Sequence, residues 1–153
     1  METLKIQIPE GFKVESFNEK TGEVKFTPTD IRDRIKTIDD AIKILGDDDP
    51  DVIDYWKIES TGITSHVFWN QKLILIIKAL NEGWTPDWHN EKWDKWVNWF
   101  YLRSSSSGRF SFCRSVAQHS YSLCGSRFCF KSKELAQYAA KQFLDIYEKA
   151  FTI

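Results

Sequence analysis

The chain has 153 residues, 42% of them hydrophobic and 28% charged, with a net charge of −1. That is the composition of one globular domain with a real core. Its longest apolar run, around Leu73–Ile77, is far too short to cross a bilayer. The near-neutral total hides an asymmetry, since residues 1–54 hold 14 acidic and 8 basic side chains while residues 55–153 hold 8 and 13. Two readings of this stay open: the acidic half neutralises the basic half within one fold, or the basic half presents a functional face.

Leu4, Ile6 and Ile8 alternate with Lys5 and Gln7, which predicts a short strand with one buried face and no cleavable apolar leader. Phe12 and Val14, then Val24 and Phe26, flank the turn-rich Asn18–Gly22, which predicts a β-hairpin ended by Pro28. Thr37, the acidic pair Asp39 and Asp40, and Gly46 delimit a short helix. The following Asp47–Asp51 run has Val52 and Ile58 where a calcium loop needs Gly and Glu, so it reads as a solvated acidic linker.

Val67–Leu80 has almost no polar face, which predicts the central core helix. Its apolar excess points to a homo-oligomer. Trp84, Trp88, Trp93, Trp96 and Trp99 follow, more indole than a small core usually takes, so one or two are expected to face a pocket or partner. Trp96–Leu102, Arg109–Arg114 and Ser126–Lys131 are expected as strands, with Val116–Leu123 a fourth strand or a loop. Ser132 caps a final helix running to Ala150. The fold class expected is α+β: one domain, residues 1–153, with an antiparallel sheet against two main helices and an N-terminal hairpin and short helix.

From Lys95 to Lys133 the chain holds no Asp or Glu, while basic, hydroxyl and aromatic residues alternate. Such a run suits an anion carrying a flat ring. The sharpest candidate is Arg103–Arg109, two guanidinium forks around four serines and a glycine, with Ser106 inside it and Arg114 and Arg127 beyond. It lacks the ending and setting of a Walker loop. Trp96, Trp99 and Tyr101 are the stacking faces expected beside Arg103, Ser106, Arg109, Arg114 and Arg127. Ser132, between Lys131 and Lys133, offers a second anion seat at a helix start.

Cys113, Cys124 and Cys129 form an odd set with no C-x-x-C pair, so buried thiols in a sheet, reduced in a cytoplasm, are expected rather than a metal site or a Cys124–His119 nucleophile. No paired carboxylates in an enzyme-like setting appear. No catalytic residue, cofactor or metal is expected.

Ile8–Phe26 (IPEGFKVESFNEKTGEVKF), Ala79–Trp88 (ALNEGWTPDW) and Arg127–Tyr147 (RFCFKSKELAQYAAKQFLDIY) resemble segments of a family of small proteins from Bacteroides-type bacteria and their phages and prophages. The resemblance covers less than half the chain. It implies a phage-related, intracellular setting and carries over no catalytic residue. Composition and resemblance together lead to a non-enzymatic binding protein for a nucleotide-like small molecule, with sequestration of a host immune signal as its concrete form. Single-stranded nucleic-acid binding and a protein-interaction module are the alternatives, and no membrane partner is expected.

Overall fold

The computed structural model describes residues 3, 5–102 and 108–152. Within them lie six helices, two separate two-stranded antiparallel sheets and one 3-10 turn, so the fold is α+β. The chain divides into two compact units, Met1–Arg34 and Ile35–Ile153.

In the first unit, strands β1 (Phe12–Asn18) and β2 (Glu23–Pro28) form the expected hairpin, with a bulge between Val14 and Ser16. Asn18 closes the turn, its Oδ1 accepting from the backbone N–H of Lys20 at 3.0 Å. Such a local bond is why Asn is favoured there. Helix α1 (Ile31–Arg34) follows. The strand expected at Leu4–Ile8 does not form over residues 5–8, and Leu4 lies outside the described residues. Ile6 and Ile8 are exposed, so no buried face exists to reward their alternation.

In the second unit, helix α2 (Ile38–Leu45) starts at a full capping box between Thr37 and Asp40 and stops at Gly46, whose φ of 86° favours glycine. The expected acidic linker instead starts helix α3 (Pro50–Ser60). Asp49 is its N-cap, accepting from the Asp51 N–H at 2.9 Å, and Pro50 fills the first position, where a missing N–H costs nothing. Helix α4 (His66–Leu80) buries Phe68, Leu73, Leu75, Ile76, Ile77, Ala79 and Leu80. Ile42, Val52, Tyr55, Phe68 and Leu75 form one core cluster that joins α2 and α3 to it.

Strands β3 (Lys95–Tyr101) and β4 (Ser111–Gln118) pair antiparallel, with a bulge after Trp99. Ser126–Lys131 does not add the expected third strand. It makes a 3-10 turn at Ser126–Phe128 and a single bridge, Phe130 to Trp96. The 3-10 turn takes up the first half of the segment, and its other edge is occupied as well. Buried Asn81 donates from Nδ2 to the Cys129 carbonyl at 2.8 Å and accepts at Oδ1 from the Lys131 N–H at 3.0 Å. A side-chain amide thus occupies backbone groups that a further strand would use.

Ser132 caps helix α5 (Lys133–Gln142), and a second helix, α6 (Leu144–Thr152), follows. The expected single helix is broken at Phe143, whose backbone leaves the helical region at φ −116°, ψ 31° while its ring stays buried. Asn98 fastens β3 to α5, donating to the Ala136 carbonyl at 2.8 Å. Phe100 packs against Tyr147 of α6, with ring centres 4.6 Å apart and the planes tilted by 33°.

Leu75 has no exposed surface. Leu75→Ala is therefore expected to destabilise the protein by about 2–5 kcal/mol, read from urea unfolding. Asn81→Leu is expected to cost about 1–3 kcal/mol for each backbone group left unpaired. It should raise hydrogen exchange selectively at residues 129–131.

Candidate ligand-binding site

Aromatic surface and positive charge meet at several places in the second unit, Lys72 and Lys149 over Trp69 among them, and two of these places hold residues singled out from the sequence. The first is a cavity of about 360 Å³ at the C-terminal end of α4. Ile74 and Ile77 of α4, with Trp84 and Pro86 of the next loop, give it apolar walls. Lys78, Arg127, Asp51, Ser126 and Thr85 supply its polar groups.

Local sequence explains each wall. Gly83, at φ 79°, lets the chain turn back beyond α4, and the Trp84 N–H donates to the Asn81 carbonyl at 3.0 Å. Trp84 then meets Trp93 edge-on at 5.6 Å. Trp88 donates from Nε1 to the Ser126 Oγ at 2.7 Å, tying the Trp-rich loop to the 3-10 turn. The loop itself winds round Lys95, which is fully buried. Its Nζ donates to the carbonyls of Asn90 and Trp93, both at 2.8 Å, and lies 5.4 Å from the Trp88 ring centre. An ammonium out of water needs such partners.

The charges at the cavity are paired. Lys78 bonds Asp49 and Asp51, each at 2.7 Å. The other Asp51 oxygen accepts from Arg127 Nη1 at 2.8 Å. Burial pushes the Asp51 carboxyl up, but the hydrogen bonds and charges of Lys78 and Arg127 overcome it and leave its pKa below the usual 3.8. Burial likewise lowers the Lys78 ammonium, and its two carboxylates reverse this and raise it above its ordinary value. The Arg127 side chain remains 62% exposed, and the Asp51 bond uses one of its five donors.

The second place is on the sheet. Trp99 and Arg114 are direct cross-strand partners on one face, with the guanidinium carbon 5.7 Å from the ring centre. Tyr101 lies two residues along the same strand, beyond the bulge. Its phenol is raised above the ordinary value by a hydrogen bond with Cys113, with a smaller opposing effect of Arg114. Trp99 and Tyr101 are about half exposed.

The eight residues singled out from sequence therefore do not form one group. Trp99, Tyr101 and Arg114 come together. Trp96 points to the opposite face by strand alternation, under Lys133 at 5.6 Å. Arg127 belongs to the cavity. Arg109 is exposed just before β4, while Arg103 and Ser106 lie outside the described residues. Ser132 accepts from the Leu135 N–H at 3.3 Å as a helix cap.

The expectation of buried sheet thiols needs correction: Cys113 is half-buried in β4, Cys124 is exposed in a loop, and Cys129 is buried outside any strand. His119 bonds Asp94 at 3.0 Å. Among the described residues, no three His, Cys, Asp or Glu side chains gather as a metal site, and no helix is long and apolar enough to cross a membrane. Sequence reasoning missed Lys78, Asp51 and Trp84 as neighbours. The Asp49-Pro50 helix start was a usable signal for α3 and hence for the position of Asp51.

No protein family, curated protein or solved structure matches this chain.

Asp51 links this geometry to acid stability. Because its native pKa is depressed, its contribution is present above about pH 3.8 and lost as pH falls through the native value. The stability difference between wild type and Asp51→Asn is expected to shrink over that acid range, measured by urea unfolding at pH 6, 4 and 2.5. A difference that stayed constant would show that the carboxylate charge plays no part.

Proposed function

We propose that this chain is a non-catalytic receptor for an anionic, ring-bearing small molecule, a nucleotide or nucleotide-derived signal. One observation carries the reading: the cavity of about 360 Å³ with Trp84 in its apolar wall and Arg127 and Ser126 beside it. Pockets for small ligands start near 300 Å³ and pair apolar walls with a few convergent polar groups. In this reading the base lies against Trp84 and the isoleucines of α4. The phosphate accepts from Arg127 and from the hydroxyls of Ser126 and Thr85. With the resemblance to phage-borne proteins, the concrete role is capture of a nucleotide signal inside a host cell. Self-association is part of the proposal, resting on exposed Ile53, Trp56 and Val67 of α3 and α4.

A second reading, single-stranded nucleic acid on the sheet, is favoured by the exposed Trp99–Arg114 stack and Tyr101. The two separate by mutation and by salt. A thermal-shift screen of linear and cyclic nucleotides is expected to find one class that raises Tm. Arg127→Ala and Trp84→Ala should each weaken that binding at least about tenfold, the loss of one charge-assisted bond or one stacking face, while Trp99→Ala leaves it unchanged. Unchanged affinity in both cavity variants would overturn the assignment. Binding lost in Trp99→Ala and falling steeply with added salt would establish the second reading instead.

A further inference from the structure

Across the β1–β2 hairpin, residues directly opposite each other share a face, and alternate residues along a strand return to it. The pairs Phe12–Pro28, Val14–Phe26 and Phe17–Val24 therefore lie on one side of the ribbon. That side is wholly apolar. The other carries Lys13 with Thr27, Ser16 with Lys25 and Asn18 with Glu23. The bulge makes this division. Its extra residue, Glu15, shifts the count by one, so that Phe17 rather than Ser16 joins Phe12 and Val14. The apolar side is open. Phe12, Val14 and Phe17 are 42%, 42% and 51% exposed, and Val24 and Phe26 are half-buried. A two-stranded ribbon of this kind is marginal alone and gains stability when its apolar face is covered.

Three features define what covers it. The edges of the ribbon are poor templates for a further strand, since β1 is broken by the bulge and β2 ends in Pro28. The contact is therefore made by the face. Over residues 12–28 the charges balance, Lys13, Lys20 and Lys25 against Glu15, Glu19 and Glu23. A nucleic acid or an anionic membrane would find no positive excess there, whereas a copy of the same surface meets both signs and is not repelled. At roughly 200 Å² for a full aromatic side chain, Phe12 and Phe17 leave about 190 Å² open on each chain. Doubled by two-fold symmetry and joined by Val14, this reaches the small end of interface sizes.

We propose that the apolar face of the hairpin is a dimer contact, covered by the same face of a second copy in a two-fold, face-to-face packing of the two ribbons. Phe12 and Phe17 of each copy fill a layer about 10 Å thick between the ribbons, as in a small sandwich, and the polar sides remain in water. The face is separate from Ile53, Trp56 and Val67, which belong to the second unit. Its area is that of a transient contact, so the dimer dissociates in the micromolar range or above.

The test follows the full chain by sedimentation velocity from about 1 µM to about 1 mM, a range that brackets such a constant. A reversible monomer–dimer equilibrium is expected. Phe17→Glu should weaken it at least about tenfold, because it removes a ring and places a charge on the covered face. Ser16→Glu, one residue away on the polar side, should leave it unchanged. Hydrogen exchange of the wild type depends on no variant folding: amide protection over residues 12–28 should rise with protein concentration. A chain that stays monomeric throughout would overturn the proposal, as would equal dimerisation of Phe17→Glu and wild type. Protection that rises in α3 and α4 but not in the hairpin would overturn it too, and would leave self-association through those helices standing. These readouts need no nucleotide, so the receptor reading is tested separately.

Discussion

A single buried amide fixes where the cavity can be. Asn81 ends α4 and reaches across to the backbone on both sides of Phe130, satisfying one carbonyl and one N–H that no strand pairs. Leaving those groups unpaired would cost about 1–3 kcal/mol each, a sizeable part of what holds a small domain together. Because the clamp sits at the last turn of α4, the preceding 3-10 turn is carried over that helix end. Ser126 and Arg127 therefore face Ile74, Ile77 and Lys78 rather than solvent alone. The opposite edge of the segment is held by Phe130, which exchanges backbone hydrogen bonds with Trp96 at 2.8 and 3.0 Å. The segment is thus fastened on two sides.

The other cavity wall depends on a buried cation. Lys95 begins β3, and its ammonium is the centre round which residues 88–94 are arranged. Two carbonyls and an indole face replace its water, an arrangement that works only while the loop is wound. The indoles of that loop are consequently divided among tasks. Trp88 covers Lys95 and holds Ser126, Trp93 supports Trp84, and Trp84 is the one that lines the cavity.

What could be read in advance followed local rules. The hairpin, the Thr37 cap and its closing Gly46, the buried α4 and the Ser132 cap all rest on residues within a few positions of one another. What could not be read rested on distant partners. Ser126–Lys131 has the alternation of a strand, yet a side chain nearly fifty residues earlier takes its edge. Phe143 interrupts a helical pattern while its ring stays in the core. Asp51 looked like part of a solvated run, and only the helix begun at Asp49-Pro50 brings it to Lys78 and Arg127. The anion-site residues share the composition of one acid-free stretch, but the pleat separates Trp96 from Trp99, and Arg127 lies at the cavity.

The meeting of the acidic and basic halves is visible at that cavity, and it bears on what can bind there. Lys78 and Arg127 face Asp49 and Asp51, so the group is neutral overall and long-range attraction contributes little. The bond between Arg127 and Asp51 is a weak one to give up, because a guanidinium 62% exposed gains only about 0–1 kcal/mol from such a pair. Asp51 would keep its bond to Lys78, which it shares with Asp49, if the Arg127 bond were lost. An incoming phosphate can therefore take the open donors of Arg127, or displace the carboxylate, at small cost. Meanwhile Asp51 holds the guanidinium over the cavity. On the receptor reading proposed above, affinity would come from the ring against the apolar wall and the anion on Arg127 together.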